Sequence, residues 1–165
     1  MKTRVMELRL ICKLEKKMSK YFKLEEFLRS DTAIRKKIDN SPSWEVVSNL
    51  NRLANFLDEL REAWAKYTTG SGGIRVSSGF RCPQLNAAVG GVQGSAHQYG
   101  NAADISPVNG RQDEFERFLK SWLRGKKYDQ CLWETSKSSG GRWVHFSLFS
   151  NKGEQRCKMF GLIAA

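Results

Sequence analysis

The sequence predicts an α+β fold, with helices packed on one side of an antiparallel sheet. In the first half of the chain, apolar residues recur at helical spacing from Val46 to Trp64. In the second half, two segments alternate polar and apolar residues, at 130–135 and 142–149. The serine- and glycine-rich stretch between them, residues 136–141, is typical of a hairpin turn. Helices followed by an antiparallel sheet are the pattern of α+β proteins.

The other elements follow from shorter signals. Serine and proline at 41–43 indicate the start of the longest helix, and glycines at 70, 72 and 73 end it. In chain order we expect a helix over 23–28, a helix from Ser41-Pro42-Ser43 to about Lys66, a strand over 74–80, a helix over 83–89, a strand over 102–105, an amphipathic helix over 112–123, the hairpin, and an edge strand over 157–163.

The length and charge of the chain limit the classes of protein to which it can belong. The 165 residues suffice for one domain with a sizeable core, which we place at 18–165. Residues 1–17 read as a basic N-terminal extension that is a candidate for disorder. The net charge of +11 suits a polyanionic partner, or simply a soluble surface. No apolar run approaches the roughly 20 residues of a membrane span, and no secretory signal peptide is evident.

The four cysteines are isolated from one another. Cys12, Cys82, Cys131 and Cys157 form no Cys-x-x-Cys pair, so a cysteine zinc site is not expected. Such spacing suits a reducing compartment or buried thiols. Cys131 lies in an apolar run and is predicted to belong to the core.

Only two histidines occur in the chain, and a carboxylate accompanies them. His97 precedes Asp104 across a glycine-containing turn, and His145 lies in the second alternating segment. Two neutral imidazoles and one carboxylate can hold a catalytic zinc ion and leave its fourth position open for water. The alternative is a structural hydrogen bond between His97 and Asp104, with His145 as an ordinary buried strand histidine.

Three sequence blocks resemble the zinc peptidases of the D-Ala-D-Ala carboxypeptidase family, peptidase M15, in its compact bacterial and phage branch. The blocks are Ser78-Gly79-Phe80-Arg81, then Ser95-Ala96-His97 with Gly100, Ala102 and Asp104, then Trp143-Val144-His145. They occur in the family's order within residues 20–150. The resemblance implies a hedgehog/DD-peptidase-like fold, Zn²⁺ held by His97, Asp104 and His145, and a peptidoglycan peptide as substrate.

The resemblance also assigns roles to Arg81 and Ser95. Arg81 matches an arginine that faces the substrate, where a guanidinium can bind a carboxylate or stabilise an oxyanion. Ser95 matches a serine that contacts the substrate or orients the loop before His97. A strand-end salt bridge for Arg81 and a turn-capping hydroxyl for Ser95 are the alternatives.

The general base departs from the family pattern. Family members often place a glutamate three residues before the last histidine, but here that residue is Arg142, which cannot act as a base. Our candidate is Glu134. A hairpin turning on Ser139-Gly140 places it opposite His145, and one turning on Gly140-Gly141 places it opposite Ser147. Both registers put Glu134 on the face of His145, within reach of a metal-bound water. Asp129 is the reserve, and an exposed strand carboxylate is the alternative for Glu134.

These observations predict a zinc-dependent peptidase that hydrolyses peptidoglycan peptides by metal-activated water, as a D-Ala-D-Ala carboxypeptidase or a cell-wall endopeptidase. A catalytically inactive, zinc-containing peptidoglycan-binding module is the alternative, and Arg142 supports it. The charge raises a nucleic-acid binder as a third hypothesis, but no DNA-binding motif is present, so we predict no specific nucleic-acid partner. We expect a monomer that is cytoplasmic as made and acts on the bacterial wall after release or export.

Overall fold

The structure, a computed structural model, describes residues 18–164, with side chains as far as residue 161. The predicted basic extension, residues 1–17, and Cys12 within it lie outside the described residues. None of the helices in the described range is long and apolar enough to cross a lipid bilayer.

The described chain alternates helices and strands in an order close to the predicted one. The elements are α1 Leu24–Leu28, α2 Asp31–Lys36, α3 Trp44–Tyr67, β1 Ile74–Ser78, α4 Pro83–Ala88, a 3₁₀ helix Ala96–Tyr99, β2 Ala102–Pro107, α5 Gln112–Trp122, β3 Gln130–Ser136, β4 Arg142–Ser147 and β5 Lys158–Ala164. Every predicted element is confirmed within a few residues. Helix α2 was not predicted, because its few residues give no periodicity. The Ser30 hydroxyl caps it by accepting from the Ala33 amide.

The sheet is mixed rather than wholly antiparallel. Its strand order is β1-β2-β4-β3-β5, and β5 pairs with β3 in parallel. The expectation of an antiparallel sheet is therefore wrong at this edge. Strand β4 ends at Ser147 beside Gln130, the first residue of β3, and residues 148–157 pass the end of β3. Strand β5 thus begins at Lys158 beside Gln130 and runs in the direction of β3.

The core lies between the two long helices and one face of the sheet. Helix α3 buries the apolar stripe that its spacing predicts, including fully buried Leu50, Leu57 and Trp64. Each fully buried leucine contributes about 1.5–3 kcal/mol. The ring of Phe56 stacks on Phe146 of β4, with 5.1 Å between ring centroids. Alternation along β2 and β4 then leaves the opposite face of the sheet to carry polar side chains.

Two local features were predicted, the start of α3 and the burial of Cys131. The N-cap of α3 is Ser43, whose hydroxyl accepts from the Val46 amide, and Pro42 directly precedes this cap. Cys131 is fully buried as predicted, and Cys82, Cys131 and Cys157 are free thiols.

Candidate metal centre and active site

Sheet pairing brings Asp104 and His145 together. Asp104 on β2 lies directly opposite His145 on β4. Directly opposed residues project to the same face of a sheet, with Cβ atoms about 5 Å apart. Their neighbours Ala103 and Val144 point to the helical side and join the core. The strand period of two therefore separates the polar cluster from the core.

His97 reaches the same face from the 3₁₀ helix. Ser95 caps this helix, and its hydroxyl accepts from the His97 amide at 3.4 Å. The helix ends at Gly100, whose backbone is left-handed at φ 70°. A Cβ at Gly100 would lie 2.7 Å from the carbonyl oxygen of Val46 on α3. Glycine is therefore required where the chain turns from His97 into β2.

Three ligand atoms form a nearly equilateral triangle on this face. His97 Nε2 lies 3.1 Å from His145 Nδ1 and 3.2 Å from Asp104 Oδ1, and His145 Nδ1 lies 3.1 Å from Asp104 Oδ1. All three residues are buried. A tetrahedral zinc ion with bonds of about 2.0–2.1 Å places its ligand atoms about 3.3 Å apart. The triangle therefore fits the size of a zinc site.

A backbone contact fixes which nitrogen of His97 faces the cluster. His97 Nδ1 lies 2.6 Å from the carbonyl oxygen of Gly79. A carbonyl can only accept, so Nδ1 carries the proton and Nε2 presents its lone pair to the cluster. Metal-binding histidines are commonly held by this kind of contact.

The protonation states also suit a metal. Burial lowers the pKa of His97, although Asp104 opposes the shift, so the imidazole is neutral at pH 7. Burial alone would raise the pKa of Asp104, but at the low pH where this carboxyl titrates, the charge and hydrogen bonds of protonated His97 and His145 outweigh burial and hold that pKa below its ordinary value. A neutral imidazole beside an ionised carboxylate is the form that binds a divalent cation.

Arg81 orients the carboxylate of Asp104. Its Nη2 donates to Asp104 Oδ2 at 2.5 Å, and its Nε donates to the Ser78 hydroxyl at 2.9 Å. Asp104 therefore gives one oxygen to Arg81 and the other to the imidazoles. The strand-end salt bridge that the sequence left open is present, and it lies inside the candidate site.

The comparison with protein families supports this arrangement. Residues 20–139 match the family described as Peptidase M15. The chain belongs to the peptidase M15 family. The matched region contains Arg81, His97, Asp104 and Glu134, and His145 follows it on β4. No curated protein matches the sequence of this peptidase.

The register of the hairpin differs from both predicted registers. Leu132 lies opposite His145, and Glu134 lies opposite Trp143. The turn centres on Ser138-Ser139, one residue before Ser139-Gly140 and two residues before Gly140-Gly141, and the Ser136 amide donates to the Gly141 carbonyl across it. The shift changes the pairing by an even number, so Glu134 is still on the face of His145, as predicted.

Glu134 is held by its cross-strand neighbour. The indole nitrogen of Trp143 donates to Glu134 Oε2 at 2.6 Å. Burial raises the pKa of the Glu134 carboxyl, while the nearby His145 lowers it and Asp104 raises it further. Glu134 therefore lies within electrostatic range of His145 and Asp104, in a setting suited to a proton acceptor. The bond from the Trp143 indole to Glu134 was not foreseen from the sequence.

Arg142, which occupies the family's usual base position, and Asp129, the reserve candidate for the base, have other partners. Arg142 lies on the opposite face of β4 and donates to Asp113 and Glu116 of α5, at 2.5 and 2.8 Å. Asp129 is fully buried and accepts two bonds from Arg156, at 2.6 and 2.8 Å, and one from Ser147. These contacts favour Glu134 over Asp129 as the base.

Asn40 supports the site and was missed from the sequence. Its amide nitrogen donates to the carbonyls of Leu28 and Phe80, and its oxygen accepts from the Cys82 amide. It thereby ties both flanks of Arg81 to the N-terminal helices. Asparagine at 40 lies far along the chain from Arg81, and no local pattern connects the two.

Gly79→Ala is expected to lower the free energy of unfolding by about 1–3 kcal/mol. A Cβ at residue 79 would lie 2.5 Å from the Phe27 carbonyl oxygen and 2.6 Å from the Phe27 Cα, both backbone atoms. The displaced carbonyl of Gly79 would also release His97 Nδ1. Urea unfolding of the metal-free protein measures the loss. Gly161→Ala is the control, because no atom lies within 4 Å of a Cβ there. Equal stability of the two variants would contradict the close packing of Gly79.

Proposed function

We propose that this M15 peptidase is a zinc enzyme that hydrolyses peptide bonds of peptidoglycan, with His97, Asp104 and His145 as the zinc ligands. The triangle of ligand atoms, 3.1–3.2 Å on each side, carries the proposal. Peptidase activity follows from the family, and the buried cluster supports dependence on a metal. The substrate class rests on the resemblance of the sequence to peptidases of the bacterial wall.

The residues around the cluster have different roles in hydrolysis. Bound zinc would supply an activated water and polarise the scissile carbonyl. Glu134 accepts the proton of the attacking water and returns it to the leaving amine. Trp143 holds one oxygen of Glu134, and no residue between 18 and 161 bonds to the other oxygen, which is open to this exchange.

Arg81 contributes both to the metal ligand and to the substrate. Its Nε and Nη2 are used by Ser78 and Asp104, whereas no residue in the described part of the chain bonds to Nη1. That remaining group can donate to the oxyanion, or to the terminal carboxylate of a peptide. The first use suits an endopeptidase and the second a D-Ala-D-Ala carboxypeptidase. Ser95, which caps the helix of His97, is our further candidate for substrate contact.

Metal analysis combined with peptidoglycan digestion tests the proposal. The purified protein should hold about one zinc ion per chain. Mass spectrometry of digested muropeptides should show a new terminus, which also identifies the scissile bond. Removal of zinc by a chelator should stop cleavage, and added zinc should restore it. Zinc binding and retention on peptidoglycan without any released peptide would instead support an inactive binding module.

Arg81→Lys is expected to weaken zinc binding by about 10–100-fold. Lysine keeps the charge but cannot bond to Ser78 and Asp104 together, so the carboxylate loses its fixed orientation. Competition with a chromogenic chelator measures the affinity. Arg142→Lys is the matched control, because Arg142 bonds to α5 on the other face. Unchanged zinc affinity in Arg81→Lys would show that Asp104 is oriented without Arg81.

A further inference from the structure

A basic surface lies at the end of α5, and the proposed function does not use it. Residues 117–127 contain no acidic residue and five basic ones, Arg117, Lys120, Arg124, Lys126 and Lys127, which we call the α5 basic surface. None of these five forms an ion pair with a carboxylate of the described residues. The carboxylates that flank this stretch pair with other arginines: Glu114 with Arg111, Asp113 and Glu116 with Arg142, and Asp129 with Arg156. Although Arg117 also acts electrostatically on Asp113, the surface presents an excess of positive charge.

Two of the lysines are positioned by aromatic rings. The ammonium group of Lys120 lies 5.6 Å from the ring centroid of Trp133, and that of Lys126 lies 4.4 Å from the ring centroid of Trp122. Cation–π contacts of this kind restrain long side chains. Restrained cations lose less conformational entropy when an anion binds. The surface is thus partly organised before a ligand arrives.

The location of this surface keeps it apart from the metal cluster. Helix α5 packs on the sheet face that carries Val144 and Phe146, and the ligands lie on the other face. A polymer bound along α5 would leave the candidate site open to a separate peptide strand.

We propose that the α5 basic surface binds a linear polymer of repeating phosphodiesters attached to the bacterial wall. The choice of a wall polymer rests on the proposed function. Phosphodiester charges repeated along one chain can meet several of the five cations at once, and each contact releases a counterion. Such binding would hold the peptidase on the wall. It would not depend on which amino acids the wall peptide contains.

Two other polyanions fit the surface less well. Single-stranded nucleic acid is bound by stacking of bases on open aromatic faces. Here Lys120 and Lys126 occupy faces of Trp133 and Trp122, and Trp122 also packs against Phe56. A surface helix binds a membrane most firmly when apolar side chains that enter the lipid add to the attraction of its cations for anionic headgroups. No large exposed apolar side chain occurs within 117–127.

Co-sedimentation with wall sacculi tests the proposal. The same sacculi are used with their phosphodiester polymer and after its chemical removal, and all proteins carry Glu134→Gln so that cleavage cannot alter the result. Substitution by glutamine at Arg117, Arg124 and Lys127 removes three exposed cations that hold no tryptophan. The control replaces the exposed cations Arg35, Lys36 and Lys152 and changes the net charge equally.

The α5 triple variant should bind polymer-bearing sacculi about tenfold more weakly at moderate salt, and the control triple variant should bind as the parent does. Removal of the polymer should abolish the difference. Equal losses in both triple variants, or binding of the parent protein to stripped sacculi as tight as its binding to polymer-bearing sacculi, would overturn the proposal. So would tighter binding to phosphatidylglycerol vesicles or to single-stranded DNA. Failure of the Glu134-containing protein to cleave muropeptides would count against the proposed function alone, because this binding is measured without hydrolysis.

Discussion

His97→Ala is expected to reduce bound zinc from about one ion per chain to a trace and to reduce peptide cleavage to background. His97 Nε2 forms two sides of the ligand triangle, and His145 with Asp104 alone leaves a two-ligand site. The stability readout is independent of activity. Zinc at 100 times its dissociation constant should stabilise the unsubstituted protein by about 2.7 kcal/mol. For a chain of this size that corresponds to a rise of about 5–10 °C in Tm, which His97→Ala should not show.

Two further variants separate metal loss from misfolding. His97→Gln keeps an amide that can donate to the Gly79 carbonyl, so it should fold and still fail to gain stability from zinc. Ser95→Ala removes the helix cap next to His97 without removing a ligand, and it should retain zinc. If His97→Gln bound zinc with the original affinity, the three-residue metal centre would be refuted.

The sequence predicted the grouping of His97, Asp104 and His145 better than it predicted the sheet around them. Only two histidines are present, so any histidine-based site had to include His97 and His145. Their meeting with Asp104 depends on the pairing of β2 with β4, which the three sequence blocks indicated only through the family resemblance. The position of Glu134 depended on hairpin register. Period-two alternation gave its face correctly, but the serine-rich turn centred one residue before Ser139-Gly140, the nearer of the two turns that we predicted.

What the sequence missed involves contacts between distant segments. The parallel edge strand β5 follows from the path of residues 148–157 around the end of β3, which no local pattern specifies. The contacts of Asn40 with Phe80 and Cys82 likewise join residues far apart in the chain. The glycine at 79 was visible in its sequence block, but the reason for it, the backbone of Phe27, became visible only in the fold.

Glu134→Gln is expected to lower kcat by about 10²–10⁴-fold and to leave zinc content unchanged. Glutamine has nearly the shape of glutamate and keeps an oxygen that can accept from the Trp143 indole, so the hairpin should hold its register. The amide cannot accept the proton of the attacking water. Because the loss lies in proton transfer rather than in substrate contact, KM should change little. Steady-state cleavage of a defined muropeptide gives both constants.

Asp129→Asn provides the decisive comparison. Asp129 is buried and bound by Arg156, so its neutralisation should lower the free energy of unfolding, by about 3–5 kcal/mol if the whole ion pair is lost. The folded fraction of that variant should keep its kcat, because its carboxylate is already occupied by Arg156 and Ser147. The reverse result, full activity in Glu134→Gln and loss of kcat in folded Asp129→Asn, would transfer the role of the base to Asp129. If both variants kept their kcat, neither Glu134 nor Asp129 would be the base in this peptidase.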